Sequence, residues 1–117
     1  MNEGGRIINV SSSTTNYPAA GLAVYVSSKV AVKAFTEVLA LELGGRGITV
    51  NSVVPGPTSP GMFDKRPIEE QQAAAASSPF NRIGRAEDIA DVVAFLASED
   101  SRWVTGQHIV ANGGARF

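Results

Sequence analysis

The 117 residues contain no cysteine and one histidine, His108. The first absence excludes a disulfide framework, a thiolate metal site and a cysteine nucleophile. The second leaves no histidine cluster for zinc and no histidine-based proton relay. Charge of one sign is missing too. Lys+Arg 10 stand against Asp+Glu 11, a net charge of −1, so no partnership with nucleic acid or an anionic membrane is expected. Apolar stretches such as Val38-Leu39-Ala40-Leu41 are too short to span a bilayer. The opening Met1-Asn2-Glu3-Gly4-Gly5 lacks the basic and apolar segments of a secretion signal, and the cytosol is the expected compartment. What is present, 44% hydrophobic and 18% charged residues, suits one soluble globular domain rather than a disordered chain.

Ile7-Ile8-Asn9-Val10 is short and β-branched and reads as a buried strand. Residues 11–22, rich in Ser, Thr, Asn, Pro and Gly, read as a loop. No Gly or Pro interrupts Ala23 to Leu43. Its Ala31, Ala34, Phe35, Val38, Leu39 and Leu41 recur at three- and four-residue steps, predicting a long amphipathic helix. Gly44-Gly45 is expected to end it with a positive φ. Ile48 to Val54 predicts a second strand, stopped by Pro55-Gly56-Pro57. Four prolines in residues 55–67 predict a loop without regular structure. Ile68 to Ala76 predicts a short helix. Glu87 to Ala97, with Ile89, Val92, Val93 and Leu96 on one stripe, predicts another. His108 to Ala111 predicts the last strand. The order β-α-β-loop-α-β is that of an α/β fold with a parallel sheet. Three strands are few for a sheet normally buried on both faces, so the pattern reads as half a fold.

Tyr25 and Lys29 stand four apart at the start of the long helix and share a face. Ser11, Ser12 and Ser13 follow the first strand, and ligands of open α/β sheets bind where strands end. A tyrosine with a pKa of about 10 trades protons poorly at neutral pH. An ammonium one turn away favours the phenolate, and a lowering by about two to three units corresponds to roughly 3–4 kcal/mol. A serine hydroxyl could then hold a carbonyl oxygen against the phenol. Alone, this spacing decides nothing. Most such pairs are a solvated lysine beside a half-buried ring, and each of the three serines is eligible.

Four segments together carry more. Gly5-Arg6-Ile7-Ile8-Asn9-Val10-Ser11-Ser12 resembles the serine-bearing strand of the short-chain dehydrogenase/reductase family. Tyr25-Val26-Ser27-Ser28-Lys29, beginning thirteen residues after Ser12, resembles its Tyr-x-x-x-Lys segment. Gly47 to Thr58 is similar to its strand and Pro-Gly turn. Arg82 to Ile89, Val104-Thr105-Gly106-Gln107 and Asn112-Gly113-Gly114 are similar to its C-terminal segment. The resemblance, of the 3-oxoacyl-(acyl-carrier-protein) reductase type, covers essentially the whole chain. It implies the C-terminal half of a Rossmann-like doubly wound parallel sheet, with residues 1–117 a partial NAD(P)-binding domain. It also implies a hydride-transferring oxidoreductase that acts on a carbonyl or secondary alcohol with NAD or NADP, leaning to NADP. Under it Tyr25 is the proton donor or acceptor, Lys29 tunes Tyr25 and binds the nicotinamide ribose, and Ser12 orients the substrate. Pro55, Gly56 and Thr58 would face the nicotinamide. A homo-oligomer is implied for the full-length form.

The chain departs from the family at Pro60, where a threonine often stands. No Gly-x-Gly-x-x-Gly turn joins a strand to a helix, and the residues that read the adenosine ribose have no counterpart. Low activity of the chain alone is therefore expected, with a non-catalytic association module or truncated product as the alternative. That alternative associates through the last helix and strand, and the open edge of the first strand invites a partner. His108 reads as a packed or edge residue, Trp103 and Phe117 as core or subunit-interface aromatics. Arg82 and Arg85 read as partners of Glu87 or Asp88. Met62, Phe63 and Ile68, in a lid from Thr58 to Phe80, are expected to line an apolar pocket.

Overall fold

A computed structural model describes residues 3–15 and 20–115. Strand β1 (Arg6–Val10) leads through a 3-10 turn at Ser13–Thr15 to helix α1 (Ala23–Leu43), and β2 (Thr49–Pro55) returns beside β1. A two-residue strand β3 (Thr58–Ser59), helix α2 (Ile68–Ser77), strand β4 (Gly84–Arg85), helix α3 (Ala86–Ala97) and strand β5 (His108–Ala111) follow. β1, β2 and β5 form one parallel sheet in that order. All three strands therefore end on one edge. No described helix is long and apolar enough to cross a membrane.

The β-branched runs form these strands because the sheet between two helices is dry. Ile48, Val50, Val53 and Leu96 are fully buried, each contributing about 1.5–3 kcal/mol relative to exposure. Ala40 of α1 packs on Ile48 and Val50, with Ile7, Leu39 and Leu43 around them. On the opposite face Arg6, whose side chain alternates with that of Ile7, donates from Nε to the Ser98 carbonyl just past α3 (3.3 Å).

Three expectations are corrected. The inner face of α1 is formed by Val32, Thr36, Leu39, Ala40 and Leu43, whereas Ala31, Ala34, Phe35, Val38 and Leu41 face outward. An apolar stripe does not locate the core on a helix that is apolar on most sides. The chain leaves α1 through a 3-10 turn, Gly44–Arg46, in which Gly44 is right-handed. Gly47 supplies the positive φ, +68°. Nor is the proline-rich stretch without regular structure. Thr58–Ser59 pairs with Gly84–Arg85, and Gly84 N donates to the Pro57 carbonyl at 2.9 Å. Pro57 needs only its acceptor there, so a residue without an N–H is tolerated.

Trp103 is 97% exposed, which removes the core reading; Phe117 lies outside the described residues. Met62 and Ile68 are exposed and Phe63 half-buried, and none of them lines either cavity described below.

Candidate active site

The end of β1 and the first turns of α1 bring Lys29 beside the Tyr25 ring. Lys29 Nζ donates to the carbonyl of Val10, the last residue of β1, at 3.3 Å, and lies 5.7 Å from the Tyr25 ring centroid. Among the described residues no carboxylate pairs with Lys29. Between Ser12 and Thr58 the only acidic residues are Glu37 and Glu42, two turns or more along the helix. The ammonium keeps donors to spare.

The three serines now differ. Ser11 continues the sheet through its N–H to the Val53 carbonyl (2.8 Å) and is buried. Its side chain lines a cavity of about 30 Å³ with Thr15, Lys33 and His108. Ser12 is half-buried, and its Oγ accepts from Thr14 N (3.3 Å) and Thr14 Oγ1 (3.0 Å). Both bonds use lone pairs and leave the hydroxyl proton for an outside acceptor. Ser13 opens the 3-10 turn.

Pro55 and Gly56 leave β2 beside the β1 end, since Val53 pairs with Val10. Gly56 N donates to the Ala111 carbonyl (3.3 Å), and the Thr58 hydroxyl donates back to the Gly56 carbonyl (2.8 Å). A Cβ on Gly56 would sit 2.6 Å from Asn112 Cβ, so packing alone requires glycine there. Gly84 and Asn112 also line a cavity of about 230 Å³ with Phe80, Arg82 and Asp88; neither Tyr25 nor Lys29 contributes to it.

Asp88 settles the arginine question. Arg82 Nη1 donates to its Oδ2 at 2.7 Å, and Arg85 gives its backbone N–H at 2.7 Å. Arg82, then that N–H, hold the Asp88 carboxyl down to about 2 from its ordinary 3.8. A depressed carboxyl pKa adds stability above the ordinary value that is lost as pH falls through the folded one. Thermal unfolding followed from pH 4 toward pH 2 should therefore show an acid loss that is smaller in Asp88→Asn. Equal slopes would contradict the assignment. Asp64 is held low in the same sense, by Ser59 Oγ (2.7 Å) and Gly61 N (2.9 Å), which clasps the turn after β3.

The family model described as enoyl-(acyl carrier protein) reductase matches residues 1–116. A short-chain type dehydrogenase/reductase of Picea abies is 46% identical over 112 residues, 95% of this chain and 41% of that protein. The chain belongs to the short-chain dehydrogenase/reductase family. The 3-oxoacyl-(acyl-carrier-protein) reductase of Pseudomonas aeruginosa is 42% identical over 94% of this chain and 44% of its own length. The crystal structure of an angucycline C-6 ketoreductase with bound NADP superposes with a TM-score of 0.89 at 44% identity, covering 98% of this chain and 45% of that one. The chain thus spans less than half the length of each of these relatives. Its sheet is the Rossmann-type parallel sheet of the family.

Sequence reading missed the polar contacts beneath α1: Asn9 to Thr36, and Ser52 to His108. Their signal was available, because Asn9 and Ser52 interrupt β-branched runs at positions that pair across the strands.

Proposed function

We propose that this chain is the proton-transfer and substrate-facing part of an NAD(P)-dependent oxidoreductase that interconverts a ketone and a secondary alcohol. The observation that carries the reading is Lys29, unpaired by any described carboxylate, tethered to the end of β1 and beside the Tyr25 ring. In reduction, a bound nicotinamide coenzyme would supply the hydride for the new C–H bond. Tyr25 gives its phenolic proton to the carbonyl oxygen as the C=O π bond breaks, leaving an alcohol and a phenolate. Ser12 donates to the same oxygen and fixes its direction. Lys29 holds the phenolate by charge and offers its remaining N–H groups to the nicotinamide ribose. Pro55, Gly56 and Thr58 would form the wall against a bound nicotinamide ring. The residue types suit that group: a phenol and an ammonium on adjacent turns of α1, a hydroxyl just past β1, and no described carboxylate paired with Lys29. The NADP in the related ketoreductase supports NADP as the coenzyme.

Positioning of bound reactants contributes about 7–11 kcal/mol to such reactions, and this sequence has no glycine-rich diphosphate turn to supply it. Turnover of NADPH with a panel of ketones is expected to be at least about a thousandfold slower for the chain alone than for a fusion carrying the N-terminal half of the Pseudomonas reductase. A folded fusion that oxidises no NADPH would overturn the reading.

A second property rests on the outer face of α1. Phe35 is 59% and Leu41 86% exposed, in line with Val24, Ala31, Ala34 and Val38. A helix apolar on most sides is normally covered. Glu42, four residues after Val38 and seven after Phe35, is the one charge on this face; the apolar rest complements a copy of itself across a two-fold axis. We therefore expect a homodimer through α1, and light scattering should give twice the chain mass. Phe35→Lys with Leu41→Lys should return the monomer mass; an unchanged mass would exclude this face.

A further inference from the structure

The side of the sheet that faces α1 is arranged in three cross-strand rows. The first is apolar: Ile7 opposite Val50, against Leu39, Ala40 and Leu43. The second is polar across all three strands, because Asn9 pairs with Ser52 and Ser52 with His108. Asn9 Nδ2 donates to Thr36 Oγ1 at 2.9 Å, and that hydroxyl donates onward to the Val32 carbonyl at 2.8 Å. Ser52 Oγ and His108 Nδ1 are 2.6 Å apart, and His108 Nε2 points to Glu37 Oε2 at 3.6 Å. Thr36 and Ser52 are fully buried. The third row, at the strand ends, is Ser11, Val54 and Val110 below Lys33.

The polar row is a poor choice for stability alone, since a buried polar pair is often replaced by apolar residues without loss. Its virtue is that it tolerates no displacement. The contacts of Leu39, Ala40 and Leu43 with Ile7 and Val50 are non-directional, whereas a hydrogen bond weakens steeply with misalignment. Thr36 stands seven residues after Lys29, two helical turns or about 10.5 Å along the axis. Fixing Thr36 over Asn9 therefore fixes where Lys29 meets the end of β1, and with it the Tyr25 ring beside Lys29. A slip of one turn, about 5.4 Å, would carry Lys29 away from the Val10 carbonyl.

We infer that this buried polar row is the register device of the catalytic helix, with Asn9 and Thr36 as positioning residues and Ser52 and His108 extending the row to β5. Its significance for turnover rests on the function proposed above; the register itself does not. The test replaces the pair by apolar residues of similar size, Asn9→Leu with Thr36→Val, and compares it with the conservative Thr36→Ser. The double variant is expected to melt close to the parent. By NMR it should lose the nuclear Overhauser contacts from the Lys29 side chain to Val10, while contacts among Ile7, Val50 and Ala40 persist. Thr36→Ser, which keeps the hydroxyl, should retain them all. Lys29–Val10 contacts that survive in a folded double variant would overturn the proposal. Should that variant not fold, Asn9→Gln, which lengthens the donor by one methylene, is expected to shift the same contacts, and unshifted contacts would overturn it equally. Neither coenzyme nor substrate is present in these measurements. A catalytically inert chain would therefore leave the register result standing, and retained contacts would leave the proton-transfer reading intact.

Discussion

Tyr25→Phe is expected to lower ketone reduction by the coenzyme-competent fusion by about 10²–10⁴-fold, the range that general acid catalysis supplies. The substitution is clean for a structural reason. The Tyr25 side chain makes no hydrogen bond among the described residues; only its carbonyl is engaged, by Ser28 Oγ at 2.6 Å. Phenylalanine keeps the ring that Lys29 approaches at 5.7 Å and removes only the hydroxyl. Melting temperature should hardly move, and NADPH binding, followed by coenzyme fluorescence, should persist. The loss then belongs to kcat. Turnover within a factor of two of the parent, in a variant that folds and binds NADPH, would remove Tyr25 from the reaction.

Gly56→Ala should damage folding more than any other single methyl in the turn. The added carbon would lie 2.6 Å from Asn112 Cβ and 3.2 Å from Asn112 Cα. These are backbone and first side-chain atoms, so no distal rotation relieves the clash. Gly56 N is also bonded to the Ala111 carbonyl, which holds the two segments together. Overpacking of this kind costs about 1–3 kcal/mol, or a fall of roughly 5–20 °C in melting temperature for a domain of this size. Gly45→Ala is the control, since a Cβ there meets nothing within 4 Å. Calorimetry should separate the two sharply. A Gly56→Ala protein that melts with the control would show that the turn and the start of the C-terminal segment yield independently.

The elements that periodicity located well were those with one polar side. Helix α3 buries Leu96 and half-buries Ile89, Val92 and Val93, because charge on its other face leaves one choice. Helix α1 offers no such contrast. Its inner face includes Thr36, drawn inside by Asn9, a bond between residues 27 apart in sequence that no local pattern announces. The β3 pairing was hidden for a related reason: it depends on Gly84 reaching Pro57 across the whole of α2. At the candidate site, the Tyr25–Lys29 spacing was legible from helical geometry. Among Ser11, Ser12 and Ser13 composition gave no choice, and only the thirteen-residue distance to Tyr25 in the resemblance singled out Ser12; the burial of Ser11 and the bonds of Ser12 to Thr14 depend on tertiary contacts that no local pattern shows.

The segment between β3 and the residues after α2 is pinned at both ends. Thr58–Ser59 is paired to β4. At the far end the buried Ser78 hydroxyl donates to the Gly113 carbonyl at 2.7 Å and accepts from Phe80 N at 3.1 Å. Between these rivets lie mostly exposed side chains whose removal would disturb little of the sheet. Residues 60–77 can therefore be treated as an exchangeable cassette. Grafts of other lengths and chemistries should be accepted as long as both pins are kept, so the segment can be exchanged on an unchanged scaffold.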